Sequence, residues 1–259
     1  MNAFNRFVAI GDSTTEGVGD DPHADGRDRG WADRLAEQLS NANPAVLYAN
    51  LAIRGRLIAQ IREQQLEAAL ALKPDLASVI GGLNDAIRPR YDLDSVLAEM
   101  EAMQSRLRSQ GATVLTITYP DLSSFAPMAR LVRARMTRFN AGLRAVAARS
   151  GAILLDFGSA GPPSDPRLWC PDRLHPNAEG HARIAAAAAE RLSLPGSDGD
   201  WAGALPALPA ATVPERVWAE LHWVGAFMLP WVGRRLAGRS SGDGRVAKRP
   251  RLLPLEPAR

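Results

Sequence analysis

The sequence predicts an α/β fold: a doubly wound, five-stranded parallel sheet between helices, with a C-terminal helical extension. Three observations carry that prediction. Five short, mostly aliphatic runs recur along the first 194 residues, and segments with helical spacing lie between them. The runs are also continuously apolar, as strands are when helices cover both of their faces.

The runs occupy residues 7–10, 46–50, 76–80, 114–118 and 152–156, each of strand length. Helices are expected near 31–40, 56–71, 92–109, 128–149 and 178–192. Asp92 and Asn177 suit helix N-caps, because a short polar side chain can accept from the first free N–H groups. Gly111 and Gly151 suit helix C-termini, where a left-handed residue ends the ladder. Strand–helix alternation makes the successive strands parallel. Ligands of such sheets bind beyond the carboxyl ends of the strands. Ser13, Gly55 and Asn84 each follow a predicted strand by a few residues, so all three converge on one edge of the sheet.

At 259 residues the chain can form one sizeable domain, or one domain plus an appendage. Its 46% hydrophobic and 23% charged content is that of a globular protein and argues against global disorder. The net charge of +3 is not evenly spread. Residues 1–195 carry 22 basic and 22 acidic side chains, and residues 196–259 carry the other 9 and 6. The body therefore shows no basic excess, and no nucleic-acid partner is expected. The lone cysteine, Cys170, allows no intramolecular disulfide and fits a reducing compartment. It reads as a buried or loop thiol rather than a nucleophile. No basic, then apolar, leader precedes the first strand, so the expected address is the cytoplasm.

The chemistry begins with Gly11-Asp12-Ser13. A serine at the end of an apolar strand is exposed and positioned as a nucleophile, but a hydroxyl needs a base, an orienting acid and an oxyanion site to act. Asp172 and His175, in Asp172-Arg173-Leu174-His175-Pro176, supply the acid and the base. An Asp three residues before a His can place both side chains on one side of a loop, and the following proline stiffens the His backbone. Gly55 offers a backbone N–H with no Cβ in the way, and Asn84 offers a side-chain amide. With the Ser13 N–H they make a candidate oxyanion hole. Each of these residues alone is as well explained by a turn or a helix cap; their order and their placement at strand ends decide for a site. Arg54, Arg56, Arg88 and Arg90 could line a pocket, but solvated arginines are the stronger reading. His23 reads as a loop residue and His181 as structural. No cofactor and no metal is expected.

These blocks resemble the SGNH (GDSL-type) hydrolase superfamily. The resemblance rests on Gly11-Asp12-Ser13, Asn50 through Gly55, Gly82-Leu83-Asn84-Asp85 and Asp172-x-x-His175, and spans about residues 4–193. It implies a flavodoxin-like five-stranded sheet and an ester hydrolase acting on a small-molecule ester. It also implies Ser13, Asp172 and His175 as a catalytic triad, with Ser13, Gly55 and Asn84 as the oxyanion hole. Acetyl-carbohydrate esters and thioesters stay open as substrates, as does a non-catalytic scaffold. The first block continues Thr14-Thr15-Glu16-Gly17 without the leucine that names the lipolytic branch, which sets membrane lipids back as substrates.

Three regions are expected: the hydrolase domain at 1–194, a Pro/Ala/Gly-rich linker at 195–214, and a Trp-containing amphipathic helix with a basic tail at 215–259. Trp218, Trp223 and Trp231 followed by Arg234 and Arg235 fit a helix docked on the body. Weak contact with a membrane surface is the lesser reading. The sequence sets neither the oligomeric state nor the acyl and alcohol parts of the substrate.

Overall fold

The computed structural model describes residues 4–159, 162–207 and 212–255. Five parallel strands form its centre: β1 (Arg6–Gly11), β2 (Leu47–Asn50), β3 (Leu76–Ile80), β4 (Thr113–Thr118) and β5 (Ile153–Asp156). A sixth strand, β6 (Arg249–Pro254), runs antiparallel along the outer edge of β2, giving the order β5-β4-β3-β1-β2-β6. The expectation of five strands is thus corrected to six. Val8 pairs with Ala49 on one side and Ala77 on the other, so β1 is central, and Phe7, Val8, Ala9 and Ile10 have no solvent exposure.

Short elements and helices connect the strands. α1 (Ser13–Glu16) follows β1 directly, and α2 (Gly30–Ala42) leads into β2. α3 (Ile58–Ile61) passes through a π turn (Arg62–Leu66) into α4 (Glu67–Ala71). α5 (Leu83–Ala86) and α6 (Leu93–Ser109) separate β3 from β4, α7 (Pro127–Ser150) leads to β5, and α8 (Ala178–Arg191) closes the body. α2 packs on α8 and α6 packs on α7, one pair for each face of the sheet. The caps fall where the side chains allow them. Asp92 accepts from Ser95 N, Asn177 accepts from Gly180 N, and Gly151 ends α7 at φ +72°.

The stretch expected as a linker is packed where it is described. Trp201 stands edge-on to Phe157 with ring centroids 5.6 Å apart, and Arg183 donates to the carbonyls of Trp201 and Gly203. Beyond it, α9 (Val213–Trp223) continues through a second π turn (Val224–Met228) into α10 (Leu229–Leu236). The wide turn ends two residues before Pro230, which has no N–H to continue an α ladder. Trp223 is buried and Trp231 half-buried, whereas Trp218 is exposed and stacks on His222.

The chain end is anchored by charge as well as by pairing. Lys248 Nζ donates to Asp33 Oδ2 at 3.0 Å and to the carbonyls of Asp28 and Arg29, with both side chains of the ion pair 9% exposed. Asp33 also accepts from Tyr48 OH at 2.6 Å. Arg249 lies over the Tyr48 ring and donates to Tyr48 O. Pro250 and Pro254 sit on the strand that ends the sheet, where a missing N–H costs no ladder bond and discourages further pairing.

Removing one partner of a buried pair leaves the other charge uncompensated, which costs about 3 kcal/mol or more. Lys248→Met is therefore expected to lower Tm by roughly 6–12 °C, with amide exchange in β6 rising first. Thermal unfolding and hydrogen exchange check this, and a wild-type Tm would uncouple the chain end from the stability of the body.

Candidate active site

The sheet order reverses at β1, since β2 lies on one side of it and β3 on the other. Crevices open at the carboxyl end of such a switch point. Three loops meet there. Gly11 ends β1 against the neighbouring strand, and a Cβ on it would collide with Ile80 O. The Gln65 side chain, set by the first π turn, accepts from Gly11 N at 2.8 Å and donates to Gly11 O at 2.9 Å. Asp12 then caps α1 by accepting from Thr14 N, leaving Ser13 as the first residue of that helix.

After β2, Asn50 is buried and holds its own loop. It donates to Thr15 O at 2.7 Å and to Tyr48 OH, and accepts from Ala52 N. Glu16 accepts from Arg54 N and from the Arg54 guanidinium, which also pairs with Asp28. That clamp precedes Gly55, which adopts φ +75°. After β3, Gly82 turns at φ +93° against Phe139, and Asn84 Nδ2 donates both to Asp12 Oδ2 at 3.3 Å and to Arg56 O at 3.2 Å. Asp12, Asn84 and the loop carrying Gly55 are thus brought together. Among the described residues, the backbone N–H groups of Ser13 and Gly55 have no hydrogen-bond partner.

The Asp172–His175 segment is a tight turn. Asp172 Oδ1 accepts from Leu174 N at 2.9 Å and His175 N at 3.0 Å, while Oδ2 meets His175 Nδ1 at 2.6 Å. Arg173 takes φ +59° to close the turn, and Cys170 N donates to His175 O. Burial opposes ionisation of Asp172, yet the hydrogen bond and charge of His175, with the two backbone donors, hold its carboxyl below the ordinary value. The tail completes the turn from outside. Trp223 Nε1 donates to Asp172 O at 3.0 Å, and Arg173 pairs with Glu220 and lies over the Trp223 ring. Among the described residues Ser13 Oγ makes no hydrogen bond, so the Ser13–His175 contact is not closed. Thr14, beside Ser13, shares a cavity wall with His175.

Asp12 contrasts with Asp172. Its complete burial pushes its carboxyl up to about 7, against smaller opposing effects from the Thr14 N–H and the nearby His175.

Several polar residues stand elsewhere than their sequence reading. Arg54 is neither solvated nor lining a pocket, being ion-paired to Glu16 and Asp28. Arg56 and Arg88 are half-buried, and Arg90 is exposed. His23 bonds Asp33 at 2.8 Å. His181 is buried, accepts from Trp31 N and meets Val18 O, and burial pushes it down to about 4, which suits a neutral structural histidine. Burial, with nearby carboxylates, pushes the Cys170 thiol up to about 11, which suits an unreactive one. Trp223 sits on the tail helix expected to dock on the body, and its bond to Asp172 O gives that docking its place. Sequence reasoning missed Gln65 and Glu16. No local pattern marks them, because each acts on a loop distant in the chain.

The family described as GDSL-like lipase/acylhydrolase matches residues 9–183. No curated protein sequence matches. Solved structures share the fold. Axe2, an acetylxylan esterase from Geobacillus stearothermophilus, is 19% identical with a TM-score of 0.60, covering 75% of this chain and 97% of its own. LAE5, an alpha/beta hydrolase enzyme from the metagenome of Lake Arreo, Spain, is 22% identical with a TM-score of 0.61, covering 73% and 95%. TesA is 23% identical with a TM-score of 0.60, covering 73% and 98%.

The Asp12 shift carries a stability consequence. Its value in the folded chain lies above the ordinary 3.8, so folding takes up a proton between those values. Its contribution is therefore complete at low pH and is lost as pH rises through about 7. Asp12→Asn keeps a helix cap without the titration. The Tm difference, variant minus wild type, is expected to rise from pH 4 to pH 7; a constant difference across that window would assign the titration elsewhere.

Proposed function

The chain belongs to the GDSL-like lipase/acylhydrolase family, and on that premise we propose that it is a serine esterase cleaving carboxylic esters through an acyl-enzyme. The observation that carries the reading is the His175 Nδ1–Asp172 Oδ2 bond of 2.6 Å, set at the same sheet edge as Ser13. That bond fixes the imidazole tautomer with the proton on Nδ1 and leaves Nε2 as the base.

In this reading His175 Nε2 takes the Ser13 hydroxyl proton as Oγ attacks the ester carbonyl. The carbonyl oxygen becomes an oxyanion, and the Ser13 and Gly55 N–H groups receive it without giving up another partner. Asn84 Nδ2 has two hydrogens, now on long bonds to Asp12 and Arg56 O, and a charged oxygen outcompetes the neutral carbonyl for one of them. Collapse expels the alcohol, which takes the proton from His175. Water then enters, gives its proton to His175 and releases the acid from Ser13, and the proton returns to Oγ. Asp172 stabilises the imidazolium at each stage.

The acetylxylan esterase activity of Axe2 makes acetylated carbohydrate a second substrate class for this fold. The cavity beside His175 favours the simpler acyl ester, because apolar side chains dominate its lining.

Ser13→Ala is expected to lower ester hydrolysis by on the order of 10⁴-fold or more. Mass spectrometry should find a fluorophosphonate adduct on Ser13 of the wild type and none after His175→Ala. Undiminished turnover in a clean Ser13→Ala preparation would end the assignment. Asn84→Ala is expected to cost about 10²–10³ in kcat while the adduct still forms. A wild-type kcat in that variant would take Asn84 out of the oxyanion hole.

A further inference from the structure

We propose that the C-terminal extension determines specificity: its Trp223–Trp231 segment closes an apolar cavity that selects esters bearing a long unbranched hydrocarbon arm. This rests on the esterase reading above and adds the substrate class to it.

A cavity of about 580 Å³ opens beside the Asp172–His175 turn. Leu122, Val132 and Met136 of the body form one side, and Trp223, Phe227 and Trp231 of the extension form the other. The extension lies wholly outside residues 9–183, so the family-matched part of the chain supplies only one of the two walls. The extension is also fixed to the reactive centre, because Trp223 Nε1 bonds Asp172 O and Glu220 pairs with Arg173.

Most polar side chains on the walls are already paired; among the described residues the Thr14 hydroxyl, His175 Nε2 and the Arg234 guanidinium are the ones left open. Asn140 accepts from Tyr119 N and donates to Tyr119 O, and Thr118 donates to Asp156. Arg133, Arg144, Arg173 and Arg183 pair with Asp121, Asp156, Glu220 and Glu179 respectively. Arg234 stands exposed on α10. A sugar needs convergent, available hydrogen-bonding groups, and a charged ligand needs an available counter-charge inside. Away from the reacting centre the lining offers one hydroxyl, on Thr14, and one cation, Arg234 at its exposed edge, too few to converge on a sugar, and a hydrocarbon needs neither. An acetyl group would leave most of the volume unfilled. Each further methylene buried there gives roughly a fourfold gain in kcat/KM.

The cavity can take the hydrocarbon on either side of the ester bond, so the assay separates the two. Full-length enzyme is measured on p-nitrophenyl acetate against p-nitrophenyl octanoate, and on ethyl acetate against octyl acetate. The first pair extends the acyl side and the second the alcohol side. In at least one pair the long ester is expected to exceed the short one by about 10²-fold or more in kcat/KM. Phe227→Asp brings a charge into the cavity from the extension, and Ala129→Trp fills it from α7. Each is expected to lower the long-to-short ratio by about tenfold or more. Ala129→Trp tests the cavity and Phe227→Asp the extension; should the buried charge unfold the chain, the neutral Phe227→Ala, which removes the ring, takes its place. Flat ratios with active short-ester turnover would overturn the hydrocarbon assignment and leave the esterase reading standing. A long-ester preference that Phe227→Asp leaves unmoved would overturn the role of the extension, and one that Ala129→Trp also leaves unmoved would overturn the cavity as its source. If no ester is hydrolysed and Ser13 takes no fluorophosphonate, the esterase reading fails and the inference fails with it.

Discussion

The Asn84 amide donates to the Asp12 carboxyl on one loop and to the Arg56 carbonyl on another, so the segments after β1, β2 and β3 are tied at one nitrogen. The strands bring these loops to a common edge, but strand pairing alone does not fix the loop ends. Buried side-chain bonds remove that freedom. Gln65 fixes the Gly11 peptide, Glu16 accepts from Arg54 N, and Asp85 accepts from Ile58 N. Each satisfies a backbone group that would otherwise be buried without a partner, so stability and positioning come from the same contacts.

The last sixty residues follow a different logic. No basic face on the body calls for them, and they form no separate sheet. They lay a helix over the Asp172–His175 turn, pass Ser240 against Gly55, where a Cβ would collide with its hydroxyl, and add β6 to the sheet. A segment held at three places around one site cannot leave one of them without straining the others. The most buried anchor is the Lys248–Asp33 pair, with both side chains 9% exposed.

How much of this could be read from the sequence differs from element to element. β1 and β3 were legible because continuous aliphatic runs bounded by turn residues have few other structures available. Asp92 and Asn177 were legible as caps because capping is local. The Asp-x-x-His turn was also local, and the structure closes it within three residues. β6 was not legible. Arg-Pro-Arg-Leu-Leu-Pro lacks strand alternation, and only its position on the sheet edge makes its prolines tolerable. The π turns at Arg62–Leu66 and Val224–Met228 were hidden for a related reason, since a helical pattern does not reveal where one residue is inserted. Arg54 was misread because its partners Glu16 and Asp28 are 38 and 26 positions away in the chain.

Asp12 and Asp172 show how environment divides a shared chemistry. Asp12 adjoins Ser13 in the chain, and Asp172 is far from it, so sequence distance alone would favour Asp12 as the orienting acid. Burial without an ion-paired cation raises Asp12 to about 7, and its acceptors are taken by Thr14 N and Asn84. Asp172 is also largely desolvated, but His175 and two backbone N–H groups point at its oxygens and keep it ionised. Only an ionised carboxylate can stabilise an imidazolium across a 2.6 Å bond. In the proposed mechanism the orienting role therefore falls to Asp172, while Asp12 shapes the loop that carries Ser13. Carboxylates whose surroundings push them in opposite directions take different parts in one site, and the direction of each shift identifies the part.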